Sequence, residues 1–563
     1  MRRLFIPGFA VVFAAAVLAG VFFRTVRLDL RPMHHDEANQ AVKFGGLLEE
    51  GEYRYDPDDH HGPTLYYLTL PFARIAGRTT LAALDETVLR LVPAVFGVGI
   101  ILLLLLFKGA MPREALAAAG LLAAVSPAMT YYSRFYIQET LLVFFLVGAS
   151  GCAWRWYAAA REPGRTERRI FGHAEAAPPP RPKAAAAWVA GAGFFCGLMY
   201  ATKETSIILF GAAGAALILV GLLERKKKKR GLRRARHVSP GFGYAAAFGA
   251  AAFAPAWLLY TSFLKNRGGF VDSLLAFGGY LERASGGTIH DHPWHFYFST
   301  LIWSRTGAGP VWSEGFVIAL AAAGAFTALG AVKAGDADTR FSRALLFFTL
   351  GAAAVYSVIP YKTPWNLLPF LMGLILLAGN GAAVMMRISR FLAVRALVVA
   401  LLAPGFVNLG LQAWRTNFEH PADPQNPYVY AQTVPDFLKL VKRLEDIAAV
   451  SADGRRMLIM VVAPPEETWP LPWSLREYER VGYWTDAAAV AGVDITNAPF
   501  VIAGLDAAEE LGDNLEDTHQ AEFYGLRPEV HLVVFIRRDL WETYLIRMDK
   551  QETAIRRDGR DHP

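Results

Sequence analysis

Two adjacent carboxylates, Asp36 and Glu37, stand in a stretch of sequence that is rich in histidine. A carboxylate beside imidazole rings can take a proton from a hydroxyl group, and the same side chains can hold a metal ion. A simpler interpretation is that the acidic pair only caps the helix that follows, since Asp is a common N-cap residue. The histidines of this stretch are His34, His35, His60 and His61.

Three cationic residues, Arg134, Lys203 and Lys362, stand at the borders of apolar runs. Lysine binds phosphate as a point charge and arginine binds it through paired contacts, so together they predict a site for a phosphate or diphosphate group. The flanking residues Tyr136, Glu139 and Tyr361 would lie at the same site. The structural alternatives are that Arg134 snorkels, that Glu139 caps the next helix, and that Lys203 pairs with Glu204.

The elements that must position these residues are membrane helices. Of the 563 residues 54% are hydrophobic and only 19% are charged, which is typical of a polytopic membrane protein. About 20 apolar residues cross a bilayer core of about 30 Å. Eleven runs of suitable length lie near residues 4–23, 88–107, 115–131, 140–158, 186–202, 206–223, 243–262, 312–332, 343–359, 367–385 and 392–411.

Loop charge predicts the orientation of these spans. The first run is longer than the apolar part of a signal peptide, so we expect an uncleaved helix that begins in the cytoplasm. Alternate loops then carry Lys and Arg, most densely at residues 225–230, as expected for inner loops. The candidate site residues fall on the outer side. The outer loop 24–87 should carry two interfacial helices, near residues 38–50 and 63–77.

The composition becomes soluble after about residue 412. Thr433 and Asp436 predict a helix start, with a capping hydroxyl and an acid in the first turn, and the helix should run to about Val450. Buried strands are expected at 457–462, 499–503 and 530–536, with a helix at 506–511. We therefore predict a membrane domain at 1–412 and a small extracytoplasmic α/β domain at 413–563.

Composition also excludes several classes of protein. The net charge of +7 is explained by inner loops, so no nucleic-acid partner is expected. Cys152 and Cys196 lie in apolar runs and predict neither disulfides nor a thiolate metal site. The pattern at His290 and His292, like the double histidine at 60–61, is too loose to assign a metal. A divalent metal remains an alternative to hydrogen bonding, and no cofactor or metal-ligand set is assigned.

The arrangement of these motifs resembles the GT-C membrane glycosyltransferases over residues 1–410. The nearest relatives would be protein O-mannosyltransferases and the aminoarabinose transferases that act on lipid A. Three segments resemble a prokaryotic branch described as flippase-activity-associated proteins: His34 to Ala38, Asp59 to Pro63 and Tyr361 to Trp365. The resemblance implies a mainly α fold, with a GT-C-like bundle of about eleven transmembrane helices and outer interfacial helices, to which the C-terminal α/β domain is appended.

The same resemblance implies an activity. The donor would be a polyprenyl-phosphate sugar, and Asp36 would be the general base that activates an acceptor hydroxyl for an inverting transfer. Glu37 would share the acidic motif, Glu139 would match a second acidic position, and Arg134, Lys203 or Lys362 would stabilise the leaving phosphate. Because the C-terminal module is not the β-trefoil of eukaryotic mannosyltransferases, the acceptor stays open between lipid, glycan and protein. The protein would lie in the inner (plasma) membrane.

Two other functions fit some of these features. A transporter or flippase component would bind a lipid-linked glycan with the same cations but would break no bond. Repeated halves and broken helices near mid-membrane, which are typical of transporters, are not evident in the sequence. The third possibility is a catalytically silent scaffold whose outer domain recruits a partner.

Overall fold

The computed structural model describes residues 6–57, 61–160, 182–229, 241–284, 286–287, 290–330, 332 and 337–558. The predicted site residue His60 lies outside these ranges, as do Asp59 and most of two stretches rich in Lys and Arg, at 161–183 and 224–237, which we expect to be inner loops. The described chain forms two compact units. The first comprises Met1–Leu28, Glu50–Ala76 and Thr87–Tyr430, and the second comprises Asp29–Glu49, Gly77–Glu86 and Ala431–Pro563.

Sixteen α-helices precede residue 430 in the described chain. They are α1 (Ile6–Thr25), α2 (His35–Glu50), α3 (Thr64–Ile75), α4 (Glu86–Leu103), α5 (Arg113–Val125), α6 (Pro127–Tyr132), α7 (Glu139–Ala160), α8 (Pro182–Tyr200), α9 (Ser206–Lys229), α10 (Phe242–Tyr260), α11 (Gly269–Ala284), α12 (Phe296–Ile302), α13 (Gly315–Leu329), α14 (Thr339–Val358), α15 (Leu368–Met386) and α16 (Leu392–Trp414). The expected interfacial segments correspond to α2 and α3.

Eight segments of the described chain are long and apolar enough to cross a membrane. They contain α1, α4, α7, α9, α10, α14, α15 and α16. The other three predicted spans correspond to α5 with α6, to α8 and to α13, which do not meet both conditions of length and composition. A multi-pass membrane protein is therefore established, and the total of eleven spans stays a prediction.

The predicted span at 115–131 is broken at Ser126 for an identifiable reason. The buried carboxylate of Glu314 accepts hydrogen bonds from the Ser126 hydroxyl (2.7 Å) and from the backbone N–H of Ala128 (2.9 Å). Pro127 follows at the first position of α6, where its missing N–H is not needed. The break thus exchanges helical hydrogen bonds for a polar contact inside the first unit.

Close helix packing in the first unit depends on glycine. A Cβ atom on Gly324 of α13 would lie 1.9 Å from the carbonyl oxygen of Leu377, and one on Gly381 of α15 would lie 2.0 Å from that of Leu320. Only hydrogen fits at these positions, so the two backbones touch, as is common for small residues between membrane helices.

The second unit contains a five-stranded sheet with α2 and the C-terminal helices. Its elements after residue 430 are α17 (Asp436–Ala448), β1 (Ile459–Val462), α18 (Pro465–Thr468), α19 (Leu471–Ser474), β2 (Val481–Trp484), β3 (Phe500–Gly504), α20 (Leu505–Leu515), β4 (His519–Arg527), β5 (Val530–Arg537) and α21 (Arg538–Asp558). The strand order is β2-β1-β3-β5-β4. The strands β2, β1 and β3 are parallel, whereas β5 is antiparallel to both β3 and β4.

Side chains alternate between the two faces of the sheet along each strand. Helices cover both faces. Ile459 and Val461 pack with α17 and α21 on one face. Met460 and Val462 pack with α20 on the other face. The three predicted strands and the predicted helix at 506–511 are therefore present, whereas β2, β4 and α21 were not predicted.

The predicted cap at Thr433 is wrong. The Thr433 hydroxyl donates a hydrogen bond to the carbonyl of Met33 (2.7 Å), and the residue before α17 is Pro435, which provides no side-chain cap. Asp436, in the first turn, accepts a hydrogen bond from the backbone N–H of Gly525. A sequence window cannot reveal such a partner, because Met33 is 400 positions away from Thr433.

Candidate functional site

Glu37 forms part of a buried helix cap in the second unit. Its side chain is fully buried, and the Arg31 guanidinium lies 3.2 Å from both of its carboxylate oxygens. One of these oxygens also accepts the backbone N–H of His34, while the His34 ring accepts the backbone N–H of Asp36. The bond from the His34 N–H to Glu37 is that of a capping box, whereas the His34 ring replaces the usual Ser or Thr hydroxyl and accepts the N–H of the second helical residue instead of the third. Glu37 therefore anchors the start of α2.

Asp36 differs from its neighbour because its side chain is 35% exposed. One carboxylate oxygen lies 3.0 Å from Nε2 of His35, and the other lies 3.8 Å from Nδ1 of His34. The segment before α2 is fixed by two nearly fully buried side chains, since Gln432 donates to the carbonyl of Pro32 and Thr433 to that of Met33. A partly exposed carboxylate is thus held on a well-anchored turn.

His34, His35 and Asp36 form a group whose possible metal-ligand atoms lie within 4.8 Å of one another. The Nδ1 atom of His34 already accepts a hydrogen bond from the Asp36 backbone (3.0 Å). A metal ion at this nitrogen would have to displace the bond that caps α2. The geometry therefore favours hydrogen bonding over metal coordination for His34.

The first unit contains a buried ion pair between Glu139 and Lys203. Glu139 begins α7, and Lys203 lies at the corner between α8 and α9. The pair lines a narrow pocket together with Thr205, Tyr356, Trp365 and Asn366. The second carboxylate oxygen of Glu139 is buried and has no hydrogen-bond partner among the described residues. Lys203 thus pairs across the fold with Glu139.

Glu204 instead contacts the loop that carries His61. The His61 ring (Nδ1) lies 3.1 Å from one carboxylate oxygen, and the Tyr55 hydroxyl donates to the other at 3.2 Å. The loop lies against the backbone of Ala201, whose carbonyl oxygen would be 2.3 Å from a Cβ atom on Gly62. The structure therefore places His61 beside the corner that contains Lys203.

The other two predicted cations have main-chain partners. Arg134 donates to the carbonyls of Phe23, Val26 and Arg27, so it caps the C-terminal end of α1. The Lys362 ammonium donates to the carbonyls of His292, Ile359 and Pro360. Burial lowers the pKa of Lys362. Each predicted cation is thus held by a different set of partners.

The two predicted tyrosines also have local contacts. The hydroxyl of Tyr136 lies 2.9 Å from the Thr69 hydroxyl inside the first unit. Tyr361 forms a backbone bridge with Asp291, and its ring lies 5.0 Å from that of His290. Sequence reasoning missed the pocket residues Tyr356 and Asn366. Asn366 is close in sequence to Lys362, but only the fold brings Tyr356 to Lys203.

Part of the chain matches a known family. Residues 64–263 match the model of the family described as dolichyl-phosphate-mannose-protein mannosyltransferase. These residues include Arg134, Glu139 and Lys203, but they exclude the acidic motif at 36–37. No curated protein matches the chain.

Solved structures extend the similarity to most of the chain. The fold is similar to that of ArnT from Cupriavidus metallidurans bound to undecaprenyl phosphate, with a TM-score of 0.60 and 15% identity, over 94% of this chain and 98% of ArnT. It is also similar to that of the archaeal oligosaccharyltransferase AglB from Archaeoglobus fulgidus, in complex with an inhibitory peptide and a dolichol-phosphate. That comparison gives a TM-score of 0.54 and 13% identity, over 93% of this chain and 74% of AglB.

Proposed function

Because the chain is a multi-pass membrane protein with the GT-C fold and a mannosyltransferase family match over residues 64–263, we propose that it is a glycosyltransferase with a polyprenyl-phosphate-linked donor. The reaction would transfer a sugar, with inversion, to an acceptor hydroxyl outside the cytoplasm. The observation that supports this role is that the two acidic residues have different surroundings. Glu37 is buried in a cap, whereas Asp36 is partly exposed on the same rigid turn.

Asp36 would act as the general base. Its carboxylate takes the proton of the acceptor hydroxyl while the oxygen forms a bond to C1 of the sugar. The bond between C1 and the phosphate oxygen breaks at the same time, and the polyprenyl phosphate leaves with the electron pair. Attack opposite to the leaving group inverts the anomeric centre. Glu37 would contribute indirectly, by holding the turn on which Asp36 stands.

The donor phosphate would bind on the side of Lys203. Its ammonium is paired with Glu139 beside a pocket, whereas Arg134 and Lys362 are directed at carbonyl groups. Positive charge near the leaving phosphate lowers the barrier to transfer. Glu139 would orient Lys203, and His61 would contribute through Glu204, with His60 nearby in sequence. The walls of the donor site would be supported by Arg134, Lys362, Tyr136 and Tyr361.

The proposed reaction requires a particular arrangement in the membrane. The N-terminus would be cytoplasmic in the inner (plasma) membrane, and the loop 24–87 and the α/β domain at 413–563 would lie outside the cytoplasm. The acceptor would be a lipid, a glycan or a protein. Two proteins of similar fold bind polyprenyl phosphates, since ArnT is bound to undecaprenyl phosphate and AglB is in complex with an inhibitory peptide and a dolichol-phosphate.

The test is sugar transfer from labelled polyprenyl-phosphate hexoses to a pool of candidate acceptors, with purified protein in lipid. We expect transfer by the parent and a loss of about 10²–10⁴-fold in Asp36→Asn, the usual range for a general base. Asp494→Asn is the matched control, since Asp494 is an exposed carboxylate of the same unit. Equal rates in the parent and Asp36→Asn would refute the base. Donor binding with neither transfer nor hydrolysis would favour a flippase component.

A further inference from the structure

We propose that two buried charges, Arg24 of α1 and Glu314 directly before α13, are positioning residues for the donor site. Together they hold the break between α5 and α6, and the break sets the place of the ion pair between Glu139 and Lys203. The inference rests on the proposed function, because it assumes that the donor phosphate binds beside that pair. All four residues belong to the first unit, and both charges are fully buried.

The break leaves two backbone carbonyls at the end of α5 without helical partners. In a continuous helix each carbonyl accepts the N–H of the residue four positions later. The carbonyl of Ala123 would need an N–H at Pro127, which proline lacks. The carbonyl of Ala124 would need the N–H of Ala128, which is bonded to a carboxylate instead. The guanidinium of Arg24 supplies both missing donors, at 2.8 Å from the Ala123 oxygen and 3.3 Å from the Ala124 oxygen.

Glu314 satisfies the other side of the break, where α6 begins. One of its carboxylate oxygens accepts the Ser126 hydroxyl (2.7 Å). The other accepts the N–H of Ala128 (2.9 Å) and the hydroxyl of Tyr428 (3.2 Å). The Ser126 hydroxyl accepts the N–H of Met129 in turn. The cation thus binds the freed carbonyls, and the anion binds the freed N–H group.

These two charges are unfavourable where they lie. Burying a charge in a membrane domain costs free energy, and ionisable residues at such places usually serve a function. An uninterrupted helix would satisfy its own backbone and would need neither charge. The chain instead combines Pro127 with one buried cation and one buried anion. We infer that the geometry of the break, rather than the stability of the helix, is what these residues provide.

The far end of α6 is bonded to the helix that carries Glu139. Thr140, in the first turn of α7, donates its hydroxyl to the carbonyl of Tyr132, the last residue of α6 (3.0 Å). Arg24 also donates to the hydroxyl of Ser133, which follows α6 (3.3 Å). A shift of α6 would therefore move the start of α7 and Glu139 with it.

A second connection reaches the wall of the pocket. The Tyr132 ring lies 6.1 Å from that of Trp365, in an edge-to-face arrangement, and Trp365 lines the pocket beside the ion pair. The Tyr132 hydroxyl donates to the carbonyl of Tyr428, whose own hydroxyl is bonded to Glu314. Because a displacement of about 1 Å in a reactive site can cost 10²-fold in rate, loosening the break should weaken donor binding and slow transfer.

The first test removes one bond of the break. Ser126→Ala deletes the hydroxyl that Glu314 accepts. Ser342→Ala is the matched control, because that buried hydroxyl bonds the carbonyl of Asp338 at the start of its own helix, α14. Binding of labelled undecaprenyl phosphate and transfer kinetics are measured with the full chain in lipid, at a temperature where every variant is folded. We expect Ser126→Ala to raise the dissociation constant and the donor KM about tenfold, the factor for one hydrogen bond to a charged group. Ser342→Ala should match the parent.

The second test replaces the break by a continuous helix. Arg24→Met and Glu314→Gln remove both charges, and Pro127→Ala restores the missing N–H, so the freed backbone groups can bond within the helix. The Gln oxygen can still accept the hydroxyls of Ser126 and Tyr428. We expect the combined variant to keep the thermal midpoint of the parent and to bind undecaprenyl phosphate at least about tenfold more weakly.

The outcomes separate positioning from a purely structural role. A purely structural contact would change the thermal midpoint and leave the dissociation constant of the folded protein as it is. A parent dissociation constant in Ser126→Ala, or in the folded combined variant, would therefore overturn the inference. If the combined variant does not fold, the comparison of Ser126→Ala with Ser342→Ala decides. Failure of the parent itself to bind or transfer the donor would instead overturn the proposed function, and the inference with it.

Discussion

Replacing Lys203 by Met should strongly destabilise the first unit. The ion pair with Glu139 is almost fully buried, with side chains 8% and 5% exposed. Without the ammonium, the Glu139 carboxylate stays buried, and one of its oxygens already has no partner among the described residues. Removing one partner of a buried pair costs about 3–5 kcal/mol, because the remaining charge is uncompensated. We expect a loss of that size in the free energy of unfolding.

The double variant Glu139→Gln with Lys203→Met provides the critical comparison. Removing both charges abolishes the uncompensated charge, so its stability should return to within about 1–2 kcal/mol of the parent. Denaturant unfolding in detergent micelles measures these free energies. The control is Asp539→Asn, which breaks the exposed pair with Arg537 and should cost at most about 1 kcal/mol. Additive losses in the double variant, or a parent-like Lys203→Met, would refute the reasoning about this pair.

Three further predictions follow from individual contacts. Glu37→Gln should lower the free energy of unfolding by about 3–5 kcal/mol, because Arg31 stays buried without its carboxylate partner; parent-like denaturant unfolding would contradict this. Gly62→Ala should cost about 1–3 kcal/mol and reduce donor binding, since its Cβ would meet the Ala201 carbonyl oxygen at 2.3 Å and displace His61; unchanged thermal and binding midpoints would count against it. The hydrogen bond from Lys439 and that from the Gly525 backbone lower the pKa of Asp436 below its ordinary 3.8, so its stabilisation is present above that pH and is lost as pH falls through the folded pKa. The stability difference between the parent and Asp436→Asn, followed by denaturant unfolding, should therefore shrink in acid; a difference independent of pH would contradict it.

The parts of the fold that were predictable are those set by local pattern. Run length and hydropathy located the helices, and short apolar runs typical of buried strands located β1, β3 and β5. Strand β4 was missed because it lies at the edge of the sheet and carries exposed residues such as Phe523. The break at Ser126 was missed because its cause, Glu314, is 188 positions away.

Candidate residues were recognisable by type, but their partners were not. Arg134, Lys203 and Lys362 share a charge and a position at the ends of apolar runs. The fold gives two of them main-chain carbonyls and gives the third a carboxylate beside a pocket. Which partner a cation receives depends on the backbone that surrounds it, and no spacing in the sequence contains that information.

The environments of the two acidic residues, Asp36 and Glu37, depend on their positions at the start of α2. Asp36 and Glu37 are equivalent in sequence, but helical geometry sends their side chains about 100° apart around α2. At the third position of the helix, a carboxylate can reach back to the N-cap, and Glu37 does so. Asp36, one position earlier, is directed elsewhere, and its side chain stays partly exposed. The residue at which α2 begins is therefore coupled to the proposed chemistry. Moving that start by one residue would bury Asp36, the proposed base, and expose Glu37, which holds the turn.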